Sequence, residues 1–347
     1  MRIDSGRREE RKSKEMTVRL VAVIATLFAL LVTPALAADV GFEEVKIANG
    51  EGPPLTAGIW YPAHAAATPH ALGAFSQTVA PGAPIAGQRL PLVVISHGGG
   101  GWYGGHYDTA LALAHAGFVA AAVSHDGDTF GDQSHVLELW RRPAQLHRLV
   151  DYMLGEWHGH GRIDAARVGA FGFSNGGFTV LVAAGGTPDL SKIAPYCEAH
   201  PEHDLCEDLK QAGVDPRFGA DVAASVWVHD PRIKAVVVAA PAFGFAFGST
   251  GLSSVHVPIQ LWRAADDRHQ PDPYYDEAVR ANLPRAPEYH VVAHAGHYDF
   301  LPPCDVRLSR KRPEICNSLP DFDRAAFHEQ FNAAVVQFFQ ATLHSNR

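Results

Sequence analysis

From Pro91 onward the chain repeats one pattern: a short unbroken apolar run, a glycine-rich or polar turn, then a stretch with helical spacing. Pro91-Leu-Val-Val-Ile-Ser96 shows the run in its plainest form. A segment with no polar face suits a strand covered on both sides, and such strands belong to parallel sheets whose crossovers are helices. Strands are expected at Gly41–Ile47, Thr56–Tyr61, Pro91–Ser96, Phe118–Val123, Arg167–Phe173, Ile233–Ala239, Val257–Trp262 and Tyr289–Val292. Helices are expected at about Tyr107–His115, Leu137–Gly155, Gly176–Ala184, Pro273–Ala281 and Asp323–Leu343. The alternation predicts an α/β fold, a mostly parallel central sheet of about eight strands with helices on both faces. Gly41–Ile47 alternates polar and apolar residues instead and suits an antiparallel edge hairpin. Two stretches break the rhythm. Pro62–Gln88, rich in Ala, Pro and Gly, reads as a surface excursion, and an insertion at about 187–229 is either part of a lid or a plain surface loop.

The first 37 residues stand apart. A basic stretch ending near Arg19, an apolar run from Leu20 to Val32 and then Ala35-Leu36-Ala37 follow the order of a secretory signal peptide cleaved after Ala37. The run is short of the roughly 20 residues of a membrane span, so no stable membrane anchor is expected after cleavage; the alternative is an uncleaved anchor helix. One α/β domain, 38–347, remains. Its four cysteines, Cys197, Cys206, Cys304 and Cys316, lie in polar, Pro-containing segments, and pairing over the shortest loops joins the first two and the last two. Disulfides of this kind belong to an oxidising compartment, so the chain is expected to be exported, periplasmic or secreted. The whole chain carries a net charge of −8, and loss of the basic leader makes it more negative. With no basic stripe to track phosphates, nucleic acid is not an expected partner.

Ser174 is the centre of the chemistry. Arg167–Phe173 is strand-like, Asn175 opens a helical stretch, and the turn between them reads Gly172-Phe173-Ser174-Asn175-Gly176. A serine on so tight a strand-to-helix turn needs small flanking residues, and it sits where helical N–H groups favour developing negative charge. Earlier, His97-Gly98-Gly99-Gly100-Gly101 follows the run Pro91–Ser96 directly. Glycines let backbone approach a substrate oxygen closely, so the expected oxyanion donors are the N–H groups of Asn175 and Gly99, with Gly98 next. The loop lacks the Gly-Lys-Ser/Thr and GxGxxG signatures of phosphate-binding loops.

Nucleophiles on this kind of turn are followed along the chain by an acid and then a histidine. The histidine is expected after the last strand, where His297 follows the small pair Ala295-Gly296; His290 and His294 are rivals that lie in or near the strand. The acid is expected after Val257–Trp262, where Asp266 and Asp267 are adjacent. Only one of the two can point at His297.

These pieces together resemble the dienelactone-hydrolase-like branch of the α/β-hydrolases, whose relatives include platelet-activating-factor acetylhydrolases. The resemblance runs through Ile59–Pro62, Pro91–Gly98, Ala114–Val119, His125–Gly127, Gly169–Gly177, the acid segment and Gly296–Leu301, nearly the whole of 38–347 in the family's order. In that family a proline lies four residues past the acid, which matches Pro271 and implies Asp267. Two departures stand out: Arg263-Ala264 replaces the glycine often found before the acid, and Ser174 stands where dienelactone hydrolases proper carry cysteine. The resemblance implies an α/β-hydrolase fold and cleavage of a small-molecule carboxylic ester through an acyl-enzyme on Ser174, with no cofactor and no metal. The rival readings are a peptidase or amidase using the same residues and a non-catalytic binding protein on the same scaffold.

Other residues carry weaker signals. His125-Asp126-Gly127 either lines a pocket or forms a turn, and Trp102 and Tyr103 are wall or core. Tyr298 and Phe300 pack near the site. His158 and His160 offer two ligands to a metal but no third.

Overall fold

A computed structural model of the protein describes residues 39–343; the leader expected at 1–37 lies outside the described residues. The strands are β1 (Asp39–Asn49), β2 (Gly52–Ala63), β3 (Thr68–Leu72), β4 (Phe75–Pro81), β5 (Leu90–Ser96), β6 (Val119–Val123), β7 (Ile163–Phe173), β8 (Ile233–Ala239), β9 (Ile259–Ala264) and β10 (Glu288–Val292). The α-helices are α1 (Tyr107–His115), α2 (Arg141–Gly155), α3 (Asn175–Ala183), α4 (Ile193–Ala199), α5 (Asp204–Gln211), α6 (Asp276–Asn282), α7 (Val306–Lys311), α8 (Pro313–Cys316) and α9 (Arg324–Thr342).

The strands form one sheet in the order β10-β9-β8-β7-β5-β6-β2-β1-β4-β3. From β10 to β6 all neighbours are parallel, while β2 pairs antiparallel with both β1 and β6. All seven residues of β5 and all five of β6 are buried, as unbroken apolar runs require of central strands. The pleat of β5 divides its side chains between two cores. Leu92 and Val94 pack with Leu146, Leu149, Val150 and Met153 of α2 and Phe178 and Leu181 of α3. Val93 and Ile95 face the other way, toward Leu113 of α1 and Phe331, Val335 and Phe339 of α9.

The sheet has more strands than expected because Pro62–Gln88 is not a plain excursion. Within it β3 and β4 form a hairpin around Gly73-Ala74, and β4 continues the sheet by pairing parallel with β1 at Gly41 and Phe42. Gly73 has φ +57, which glycine adopts without a Cβ penalty. The proline and alanine content of this stretch hid the alternation. The helix expected from Leu137 begins at Arg141 instead. Pro143 explains the delay: it lacks an N–H and its ring collides with the carbonyl four residues back, so it is tolerated only in the first turn.

Two features position the site. After β5 the chain crosses to β6 on one side, and after β6 it returns to β7 on the other, so the connections diverge between β5 and β7. Crevices of open parallel sheets lie at such a divergence, beyond the carboxyl ends of the strands. The loop after β5 is His97–Gly101 and the turn after β7 holds Ser174.

Candidate active site

Ser174 adopts φ 54 and ψ −120, a strained conformation for a residue with a side chain. The turn is held from both ends: Ser174 N–H donates to Ala239 O at 3.0 Å, and Ser174 O accepts from Ala242 N–H at 3.0 Å. Its glycines are required sterically. A Cβ on Gly172 would lie 2.1 Å from Gly176 O, and one on Gly176 would lie 1.9 Å from Ser96 O. Helix, strand and glycine loop therefore meet backbone to backbone around the serine.

His297 begins a short 3-10 turn after β10 and is buried. Its Nδ1–H donates to Asp267 Oδ2 at 2.7 Å, which leaves Nε2 free to accept from Ser174 O–H at 3.1 Å. Phe173 packs on the imidazole at 4.8 Å between ring centres. The Asp267 side chain is 2% exposed. Burial alone would raise its carboxyl, but the His297 charge and hydrogen bond, with the Gln270 N–H, outweigh burial and hold it below the ordinary carboxylate range.

The rivals lie elsewhere. Asp266 is exposed, and Arg263 pairs with Asp272 rather than with it. His290 stacks on Trp262 at 4.0 Å between ring centres, and His294 is exposed at φ 59. On the oxyanion side, a Cβ on Gly98 would lie 3.3 Å from Ser174 Cβ, and one on Gly99 would lie 2.8 Å from Asn175 Nδ2, so the loop lies against the serine turn. Gly100 N–H is taken by Asp128 Oδ1 and Gly101 N–H by Gly98 O. Among the described residues Gly99 N–H has no partner, and Asn175, first in α3, has none within its helix.

A cavity of about 760 Å³ opens over Ser174 and His297. One wall is aromatic, with Phe75, Trp102 and Phe130; the other is the arm around Tyr298, Leu301, Leu308 and Ile315. The segment 187–229 is partly helical, and α5 lends Asp204, Leu205 and Asp208 to the wall. Each flanking arm carries a disulfide, Cys197–Cys206 and Cys304–Cys316, in the expected pairing.

Several supporting residues escaped sequence reasoning. Gln270 is buried, and its Nε2 lies 3.5 Å from Ser174 Oγ. His269 lines the cavity and pairs with Asp204 at 2.6 Å; burial and then the nearby His297 push its imidazole down. Asp299 binds Gly296 N–H at 2.7 Å and Arg324 Nε at 2.9 Å, anchoring the turn of His297 to α9. Only an apolar-to-charged break inside a buried segment could have flagged Asp299, and that signal is common. His125 does not line the cavity: it is buried, bonded to Ser96 Oγ at 2.8 Å and Gln145 Oε1 at 2.9 Å. Trp102 is cavity wall, whereas Tyr103 is buried and bonded to Glu44. Tyr298 reaches the cavity, and Phe300 packs between Phe173 and Phe331.

His158 is paired with Glu43 and His160 bonds Trp157 O. Among the described residues, the one His/Cys/Asp/Glu group with converging ligand atoms is His200, Glu202 and His203. The rings of its two histidines stack within 8° of parallel. An imidazole lone pair lies in the ring plane, so stacked rings cannot both aim at one ion.

The order of strands, the divergence beside β5 and the serine turn after β7 define one architecture. The fold is that of the α/β hydrolases. Among solved structures, the chain matches a ferulic acid esterase from Streptomyces cinnamoneus with a TM-score of 0.61 at 18% identity, over 90% of this chain and 92% of that one. It also matches a dienelactone hydrolase from Anabaena variabilis with a TM-score of 0.50 at 15% identity, over 87% and 98%. No protein-family model and no curated protein sequence matches the chain. At these identities the likeness establishes the hydrolase fold, and the chemistry rests on the side chains of this chain.

Proposed function

We propose that the protein is an exported serine hydrolase of the dienelactone-hydrolase-like branch that cleaves small carboxylic esters through an acyl-enzyme on Ser174. One observation carries this reading: Ser174 Oγ, His297 and Asp267 form a continuous hydrogen-bonded chain, 3.1 and 2.7 Å long in its two links, at the floor of a cavity. A buried serine in a strained turn has no structural need of a histidine whose far nitrogen is already committed to a carboxylate.

In this reading His297 Nε2 takes the Ser174 proton as Oγ attacks the ester carbonyl. The Asn175 and Gly99 N–H groups receive the oxyanion, and Asp267 stabilises the imidazolium. His297 then gives its proton to the leaving alcohol. Water, deprotonated by the same nitrogen, attacks the acyl-serine and releases the acid, and His297 returns that proton to Ser174 Oγ. Each oxyanion donor is worth about 3 kcal/mol of transition-state stabilisation. The sequence of bonds made and broken needs no cofactor.

The two solved structures of like fold are named as an esterase and a dienelactone hydrolase, which favours esters over the amides that the same residues could cleave. Two disulfides, and the absence among the described residues of any helix long and apolar enough to cross a membrane, fit an exported protein. A fluorophosphonate probe tests the core of the reading. The folded, oxidised protein should be labelled at one residue, and Ser174→Ala should abolish labelling and ester turnover. Equal labelling of the two proteins would overturn it.

A further inference from the structure

One guanidinium lies behind both backbone segments that supply the proposed oxyanion donors. Arg142, on α2, is 2% exposed. Its Nη2 donates to His97 O, the carbonyl that opens the glycine loop, and its Nη1 donates to Asp128 Oδ2. Its Nε donates to Thr179 Oγ1 at 3.1 Å, and that hydroxyl donates to Asn175 O at 2.7 Å. Asp128 turns its other oxygen to the loop, where it accepts Gly100 N–H at 2.6 Å. The same pair therefore grips the loop at His97 and Gly100 and, through Thr179, the first residue of α3.

The loop has few other means of holding its shape. Residues 98–101 are all glycine and carry no side chain of their own; beside Asp128, the local hold is His97, whose Nδ1–H donates to Gly98 O at 2.6 Å and whose Nε2 accepts from His125 N–H at 3.1 Å. A Cβ on Gly176 would lie 2.8 Å from His97 O, so loop and helix come together backbone to backbone there. A planar fork of N–H donors can bind acceptors on both at fixed angles; a lysine ammonium on a flexible stem cannot. Neighbouring imidazoles add no competing charge. Burial, and then the charge of Arg142, hold His97 down at about 3 and His125 well below the ordinary range.

We propose that Arg142, locked by Asp128, is a positioning residue that sets the distance between the two oxyanion donors before substrate arrives. This rests on the serine-hydrolase reading above and adds a residue to it. Arg142 touches no substrate: it does not line the cavity. A purely structural role predicts lost stability with unchanged turnover; a positioning role predicts lost turnover in the folded enzyme.

The test compares wild type, Arg142→Lys and Asp128→Asn on one ester, well below their melting temperatures. Arg142→Lys keeps the charge and loses the fork. Asp128→Asn keeps the shape, loses the lock, and serves if the first variant does not fold. The expected result is a fall in kcat of about 10- to 100-fold, part of what loss of a whole donor costs, with KM changed less than about threefold. The pH profile of kcat should stay in place, because Asp267 and His297 are untouched. Fluorophosphonate labelling should slow by a similar factor. Folded variants with kcat within about twofold of wild type, or with the loss confined to KM, would overturn the proposal. Ser174→Ala runs alongside: if the wild type itself is neither labelled nor active, the serine-hydrolase reading falls and takes the clamp with it. If wild type is labelled and the variants match it, the clamp alone falls.

Discussion

Each half of the site rests on a buried Arg–Asp pair, and the two pairs are built differently. Beneath the glycine loop, Arg142 and Asp128 draw together residues from the ends of β5 and β6, from α2 and from α3, spread from Ser96 to Thr179. Behind His297, Asp299 and Arg324 belong to one C-terminal stretch. Asp299 accepts from Gly296 N–H, Ser318 Oγ and Arg324 Nε, and Arg324 also reaches Ile315 O at 2.9 Å. The Cys304–Cys316 disulfide closes the same stretch. The difference follows from what each half presents. A histidine side chain can be aimed by its own turn, its packing against Phe173 and one carboxylate. Backbone N–H groups on four successive glycines have nothing of their own to aim them, so the orienting groups come from distant segments.

The largest expected effect lies on the histidine side. Asp267→Asn should lower kcat by about 10⁴-fold, because the carboxylate that holds the His297 tautomer and offsets its charge is gone. Asp266→Asn, at an exposed position one residue away, should leave kcat within about twofold. Steady-state kinetics of the two variants decide the matter, and equal losses would undo the assignment of the acid.

Removing each arginine compares the two pairs directly. Arg142→Met leaves Asp128 buried with Gly100 N–H as its remaining partner, and should cost about 3–5 kcal/mol. Arg324→Met leaves Asp299 two partners, Ser318 Oγ and Gly296 N–H, and should cost about 1–3 kcal/mol. Urea unfolding of both variants gives the order; the reverse order would break the comparison.

The smallest effect, taken per pH unit, is a slope on the glycine-loop side. Burial holds His97 down at about 3 and His106 at about 4. His106 packs between Phe171 and Phe173, and neither of its ring nitrogens has a hydrogen-bond partner. Both rings stay neutral in the fold, whereas in the unfolded chain they take up protons near pH 6.5. The stability they contribute is complete above that value and is lost as pH falls from about 6.5 toward 4, at about 1.4 kcal/mol per unit for each ring. His106→Phe should remove one such contribution and flatten the curve of unfolding free energy against pH in that window. An unchanged slope would show that His106 is not held neutral.

Much of this was legible in the residues because it is local. Strand β5 could be read from an apolar run, helix α1 from its spacing, and the serine turn from glycines that strand-to-helix geometry requires. Order along the chain singled out Ser174, His297 and the adjacent pair Asp266-Asp267, the family resemblance favoured Asp267, and the structure brings Ser174, His297 and Asp267 within hydrogen-bond distance. The hairpin of β3 and β4 was not legible, because its proline and alanine content obscures the alternation that its pairing reveals. Arg142 and Asp299 were not legible either. A charged residue in an amphipathic helix reads as a solvated one until the fold covers it.

By itself the sequence determined the class of fold, the places of the tight turns and the residue types at the floor of the cavity; among the three pairings four cysteines allow it favoured the shortest loops, and the structure shows that one. These follow from periodicity, from steric need for glycine and from chain order, all readable within a few residues or along one line. Only the tertiary structure decided which carboxylate faces His297, what shapes the cavity and what holds the glycine loop. Those depend on segments far apart in the chain meeting in a buried place, where a polar group must find a partner because water is excluded.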